Sequence, residues 1–188
     1  RSETAAARGM ARLAARHPEV AEAHHAAASL ALQAGDSPTA LQHAARAQQL
    51  RPKWREALWL EVRARIAGGD CERGLAQSRG LAAEAADADR LVHAWLLTAC
   101  DRAAEARPVF EDLARGRVAR AEGLEGLAAI EAEAARYEEA ANRYTDLLAT
   151  GRGTDRAFFG LALVADRRGE VAQAVRLYTR VTSGSRAI

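Results

Sequence analysis

Two thiols, Cys71 and Cys100, and two adjacent imidazoles, His24 and His25, are the first places to look for chemistry in this chain. Thiolates that hold a metal come in short-spaced hooks, and neither cysteine sits in one. Successive helical residues point about 100° apart, so His24 and His25 face different ways and suit no shared metal. No Gly-rich phosphate loop and no strained nucleophile elbow occurs either. The chain is therefore read as a non-enzyme, with no catalytic residue, no cofactor and no metal. What remains is recognition chemistry. Trp59 and Arg63 lie one helical turn apart, and Trp and Arg are the residue types that most often anchor protein interfaces. A slip of one residue in the local register would instead make Trp59 core filler.

The elements that position these side chains follow from a repeat. Gly35 and Gly69 lie 34 residues apart, each followed by Asp, and Pro18 and Pro52 keep the same interval. That period is the length of a helix, a short turn and a second helix, stacked in an array. Units fall at 21–54, 55–88, 89–120, 121–154 and 155–188, after a half unit at 1–20. The unit at 89–120 is two residues short, around Asp101 and Arg102. Gly35, Gly69, Ala135 and Gly169 form one small-residue column, where the first helix closes and the chain reverses. Ala40, Gly74, Ala140 and Ala174 form a second, where the two helices of a unit approach. A third, Ala44, Ser78, Phe110, Tyr144 and Tyr178, grows along the chain and is expected to fill the space between units. In this frame Cys71 opens a second helix and Cys100 lies near the end of the next first helix. The two come near enough to pair or stand as two buried or half-buried free thiols, and the free thiols are preferred.

Composition agrees with an all-α array. Apolar residues make up 49% of the chain, aromatic residues 5% and charged residues 28%, with no alternation of β-branched residues and no apolar run of membrane-spanning length. The net charge of +2 is too small to point to nucleic acid, and its basic residues are scattered arginines around a single lysine, Lys53.

Ala-Arg-Tyr-Glu-Glu-Ala at 135–140 leading to Tyr144, and Gly169-Glu170 leading through Ala174 to Tyr178, resemble the tetratricopeptide repeat family. His24, Leu58, Val92, Leu124 and Phe158 fall where that family often places a large residue early in its first helix. Glu61 and Arg65 depart from the pattern, standing where the family keeps apolar or small residues. Four apart, they are expected to pair on one helical face. The resemblance implies a superhelical α-solenoid of antiparallel helix pairs that binds a protein or peptide in a concave groove lined by the first helices. The groove positions are His25, Trp59, Arg63, Arg90, His93 and Phe159, with Glu22, Ser29, Glu56, Ile66, Leu97, Glu122, Glu125, Arg156, Leu163 and Asp166 beside them. The Lys and Asn of the clamp by which some family members hold acidic chaperone tails are missing.

The stretches at 17–24, 30–36, 50–54, 158–169 and 177–184 further resemble proteobacterial lipoproteins of this family. Those act at the periplasmic face of the outer membrane as adaptors, bringing a carboxyl-terminal processing protease to cell-wall hydrolases. The resemblance implies the same partners and periplasmic, outer-membrane-associated placement, through a lipid anchor outside this chain; a cytoplasmic protein and a structural assembly subunit are the alternatives. The half unit at the start and the lack of a capping helix after Val175, Tyr178 and Val181 imply a fragment of a longer protein. Its terminal helices, carrying Met10, Leu13, Val175 and Val181, are expected to self-associate.

Overall fold

Short polar turns cut this Ala-rich chain into helices of almost equal length. The computed structural model describes residues 2–83 and 86–184, and eleven α-helices and no strands occur among them. They are α1 (Ser2–Arg16), α2 (Ala21–Gln33), α3 (Ser37–Leu50), α4 (Arg55–Ala67), α5 (Cys71–Ala82), α6 (Asp87–Ala99), α7 (Ala103–Arg115), α8 (Arg120–Glu133), α9 (Tyr137–Ala149), α10 (Thr154–Arg167) and α11 (Val171–Gly184). From α2 onward they pack as successive antiparallel pairs, an all-α solenoid architecture. The chain forms two compact units, α1–α5 and α6–α11.

Each pair reverses through one left-handed residue. Gly35 (φ 77°), Gly69 (89°), Ala135 (57°) and Gly169 (77°) occupy that place, as the small-residue column requires. The third pair uses Asp101 (φ 59°), a residue type whose short polar side chain tolerates this conformation. Asp101 thus keeps the turn position, and the two-residue deficit lies before it. The missing residues belong to the stretch between Gly69 and Asp101, where α5 has only 12 residues, and not to the surroundings of Asp101 and Arg102 as the repeat register implies. Asp36 and Asp70, next after their glycines, cap α3 and α5 by accepting the backbone N–H of Thr39 (3.1 Å) and Arg73 (3.4 Å). Such caps contribute about 1 kcal/mol each.

In the first unit the core is built on alanine. Ala28 and Ala44 meet Leu60, and Ala31, Ala40 and Ala64 lie together beside Leu32 and Leu41. Glu61 and Arg65 pair at 2.6 Å, as their spacing implies. In the second unit Ala121, Leu124, Ala128, Ala140, Tyr144, Leu147, Ala157 and Val164 form the main cluster. Here α8 is buried on nearly every side. Its Gly123 lies so close to α7 that a Cβ would stand 2.4 Å from the Ala114 nitrogen. The second-helix column is small or buried as expected: Ala40, Ala140 and Ala174 are buried, and a Cβ on Gly74 would meet Ile66 at 2.5 Å.

Candidate functional site

The second unit contains a cleft of about 370 Å³ on the face formed by its first helices. Trp95 of α6, Glu125 and Ala129 of α8, and Arg156, Phe159, Gly160 and Leu163 of α10 line it, with Tyr144 of α9 and Val181 of α11. Its aromatic walls are held by other rings. Trp95 meets Phe110 edge to face at 5.1 Å between centroids, and Phe159 meets Tyr178 at 5.8 Å. Tyr144 reaches the cleft because Gly160 has no side chain; a Cβ there would come within 2.2 Å of the phenol ring. Phe159 remains 53% exposed, a large apolar side chain offered to solvent by a packed scaffold.

Charge in the cleft centres on Glu125. Arg156 Nη1 donates to its Oε2 at 2.6 Å. Burial pushes the Glu125 carboxyl above its ordinary value; Arg156 opposes this, and the neighbouring Glu122 adds to it. Burial also pushes up the Tyr144 phenol, assisted by Glu125 and Glu133. This is an apolar, aromatic surface with a few fixed charges.

The six groove positions expected from sequence take different places. Phe159 lines the cleft. Arg90, on α6 like Trp95, is held by Asp87 at 3.3 Å and by Asp112 of α7, so its guanidinium braces two helices. His93 is buried in the second unit, at 9% exposure. In the first unit Trp59 is buried to the same extent, the core alternative of the sequence reading, so its ring is not presented to solvent; Arg63, one turn on, is exposed. His25 stacks on Trp54 at 4.6 Å, and the Arg51 guanidinium lies 4.8 Å from the same indole. His24 turns the other way and brings its Nδ1 to 2.9 Å from Nδ1 of His43.

Sequence reasoning missed several residues that matter here. Trp95, Tyr144 and Gly160 line the cleft, yet Trp95 sits off the expected groove positions and Tyr144 belongs to the column expected to fill the space between repeats. The His24–His43 pair joins residues 19 apart with no periodic signal. Glu131 is buried and bonded to Arg107 (2.6 Å) and Arg136, although it occupies the same place before the turn as Arg65. Neither cysteine is a free thiol; both are disulfide-bonded, against the preferred reading of the sequence. Cys71 opens α5 and Cys100 follows α6, and both are only partly buried, unlike thiols that serve as small core hydrophobes. Among the described residues no cluster of three or more His, Cys, Asp or Glu side chains is placed to hold a metal, and no helix is long and apolar enough to cross a membrane.

The fold has clear relatives among solved structures. The Cut9 chain of the APC/C Cut9–Hcn1 hetero-tetramer matches with a TM-score of 0.68 at 12% identity, over 92% of this chain and 35% of that one. This chain therefore spans about a third of that relative. MamA matches at 0.55 and 12% identity, over 87% and 90% of the two chains. YrrB, described as a tetratricopeptide repeat protein with an unusual peptide-binding site, matches at 0.52 and 13%, over 95% and 93%. No protein-family model matches the sequence, and no curated protein does. The fold is that of tetratricopeptide repeat proteins.

Proposed function

We propose that this chain is a non-catalytic scaffold that binds a segment of another protein, and that the second unit's cleft is where it does so. The observation that carries the reading is the ring-braced cleft itself, in which the exposed Phe159 and the indole of Trp95 flank an apolar floor. Aromatic groups held rigid in a concave site bind without a large ordering cost. The peptide-binding site ascribed to YrrB, which shares the fold, supports the same reading.

The test uses the full chain and fluorescein-labelled random peptides, followed by anisotropy. Phe159→Ala is expected to weaken binding by about 2 kcal/mol. Its melting temperature should stay near that of the parent, since the ring is half in solvent. Equal affinity in both proteins would sink the proposal.

Within this reading the chain is an adaptor linking a periplasmic carboxyl-terminal processing protease to cell-wall hydrolases. The sequence stretches at 17–24 and 158–169 support it, and disulfide-bonded cysteines fit an oxidising compartment. Co-purification of that protease from an envelope extract on the immobilised chain is expected; its absence would remove the adaptor role and leave the cleft. A second reading, a structural subunit, is favoured by the exposed Val171 and Val175 of α11. It requires concentration-dependent association in light scattering, abolished by Val175→Glu.

A further inference from the structure

The charges around the cleft do not balance. Glu125 and Asp155 put two carboxylates in the lining, Glu122 lies close enough to disfavour charge on Glu125, and Arg156 is the cation of the lining, 2.6 Å from Glu125. Glu122, Glu125 and Ala129 fall on one face of α8 at helical spacing, with Glu122 one turn before Glu125. The Glu122 Oε2 is shielded from solvent and accepts no hydrogen bond. A carboxylate oxygen hidden from water without a donor is costly, and it adds to the unanswered negative charge beside the cleft. Other arginines of the same unit are already engaged: Arg90 with Asp87 and Asp112, Arg107 and Arg136 with Glu131, and Arg152 with the Val118 carbonyl.

Resting on the reading of this cleft as a peptide site, we infer that its occupant is a protein segment carrying an arginine or lysine next to an apolar side chain. The cation answers the surplus carboxylates of α8, and the apolar group enters the space lined by Trp95, Phe159 and Leu163. Charge complementarity selects this occupant over an acidic one, because an incoming carboxylate would meet Glu122 and Glu125 in a site where burial already disfavours charge on Glu125. The competing structural account is that Glu122, in the first turn of α8, serves only the helix dipole. That account predicts a stability effect and no effect on ligand choice.

Three pools of short, end-blocked, fluorescein-labelled peptides separate the two accounts. Each pool fixes Leu-Arg, Leu-Gln or Leu-Glu at its centre and is otherwise random in Gly, Ala and Ser. Against the full chain, the Arg pool is expected to bind at least about fivefold more tightly than the Gln pool, the scale of one partly buried charge pair, and the Glu pool most weakly. Glu122→Gln and Glu125→Gln should each shrink the Arg preference, while Arg156→Gln, which frees Glu125, should widen it. Thermal melts of every variant establish that the folded protein is being compared. Equal binding of the Arg and Gln pools, with Phe159→Ala still weakening both, overturns the cationic occupant and leaves the cleft as a peptide site. An Arg preference left undiminished by both Glu122→Gln and Glu125→Gln also overturns it. Binding of no pool overturns both readings.

Discussion

The two units solve one packing problem in opposite ways. Between successive helix pairs, a position on the second helix of one pair faces a position on the first helix of the next. In the first unit the second helix offers Ala44 and the first helix supplies the bulk, Leu60. In the second unit the second helices supply Phe110 and Tyr144, and the facing first helices shrink to Gly126 and Gly160, where a Cβ would stand 2.3 and 2.2 Å from the rings. Volume is conserved across each interface, but the side that carries it changes. The change has a functional result: a ring arriving from behind a glycine reaches the opposite face, and Tyr144 thereby becomes part of the cleft. A leucine pointing inward from the first helix gives the first unit no such wall.

The strongest way to break this comparison is to remove the bulk where it is largest. Phe110 is fully buried, so Phe110→Ala should cost about 4 kcal/mol in urea unfolding. Adding Gly126→Leu, which converts the interface to the arrangement of the first unit, should recover part of that loss. A double variant no more stable than Phe110→Ala would show that the two arrangements are not interchangeable.

A smaller effect is expected from filling the notch. Gly160→Ala should destabilise by about 2 kcal/mol, because the ring it meets is itself packed. It should also weaken peptide binding by displacing Tyr144 from the cleft wall. Full stability in thermal unfolding would show that the ring yields freely.

Charge repeats the contrast at one register position, four residues before the left-handed turn. The first unit places Arg65 there with Glu61; the second places Glu131, more deeply buried, between Arg107 and Arg136. Glu131→Ala should cost about 2 kcal/mol, below the range for a sealed buried pair because Arg136 is half exposed. Arg65→Ala, in a pair four apart on one helix, should cost under about 1 kcal/mol. Equal costs would erase the distinction.

The smallest expected effect concerns pH. Burial, and then the neighbouring His24, holds His43 below the ordinary 6.5 of an imidazole. The folded state thus prefers the neutral ring, and this contribution is present above about pH 6.5 and lost as pH falls below it. Burial would raise the Glu131 carboxyl, but its bonds to Arg107 and Arg136 outweigh that and leave it below the ordinary 4.5. Its contribution is present above pH 4.5 and lost only as pH falls further. Amide exchange at pH 7.5 and 5.5 should therefore show α2 and α3 loosening while α8 and α9 hold, and His43→Gln should flatten the change. Parallel loosening of both would contradict the assignment.

Local signals carried most of the fold. Gly35, Gly69 and Gly169 declare left-handed turns because a Cβ is costly there, Asp36 and Asp70 start helices within three residues of themselves, and small columns mark helix crossings. These depend on neighbours in sequence, so the sequence alone determined the helices of the described residues and their pairing. Tertiary structure decided the rest. Whether Trp59 meets water or the interior turns on a slip of one residue in the register of α4, and periodicity cannot resolve it. The His24–His43 contact and the bond of Arg107 to Glu131, 24 residues apart, need two helices at a particular distance and angle. So does the exchange of bulk that puts Tyr144 behind Gly160. Each is a pairing of side chains across a packed interface, and only packing selects which partner a side chain finds.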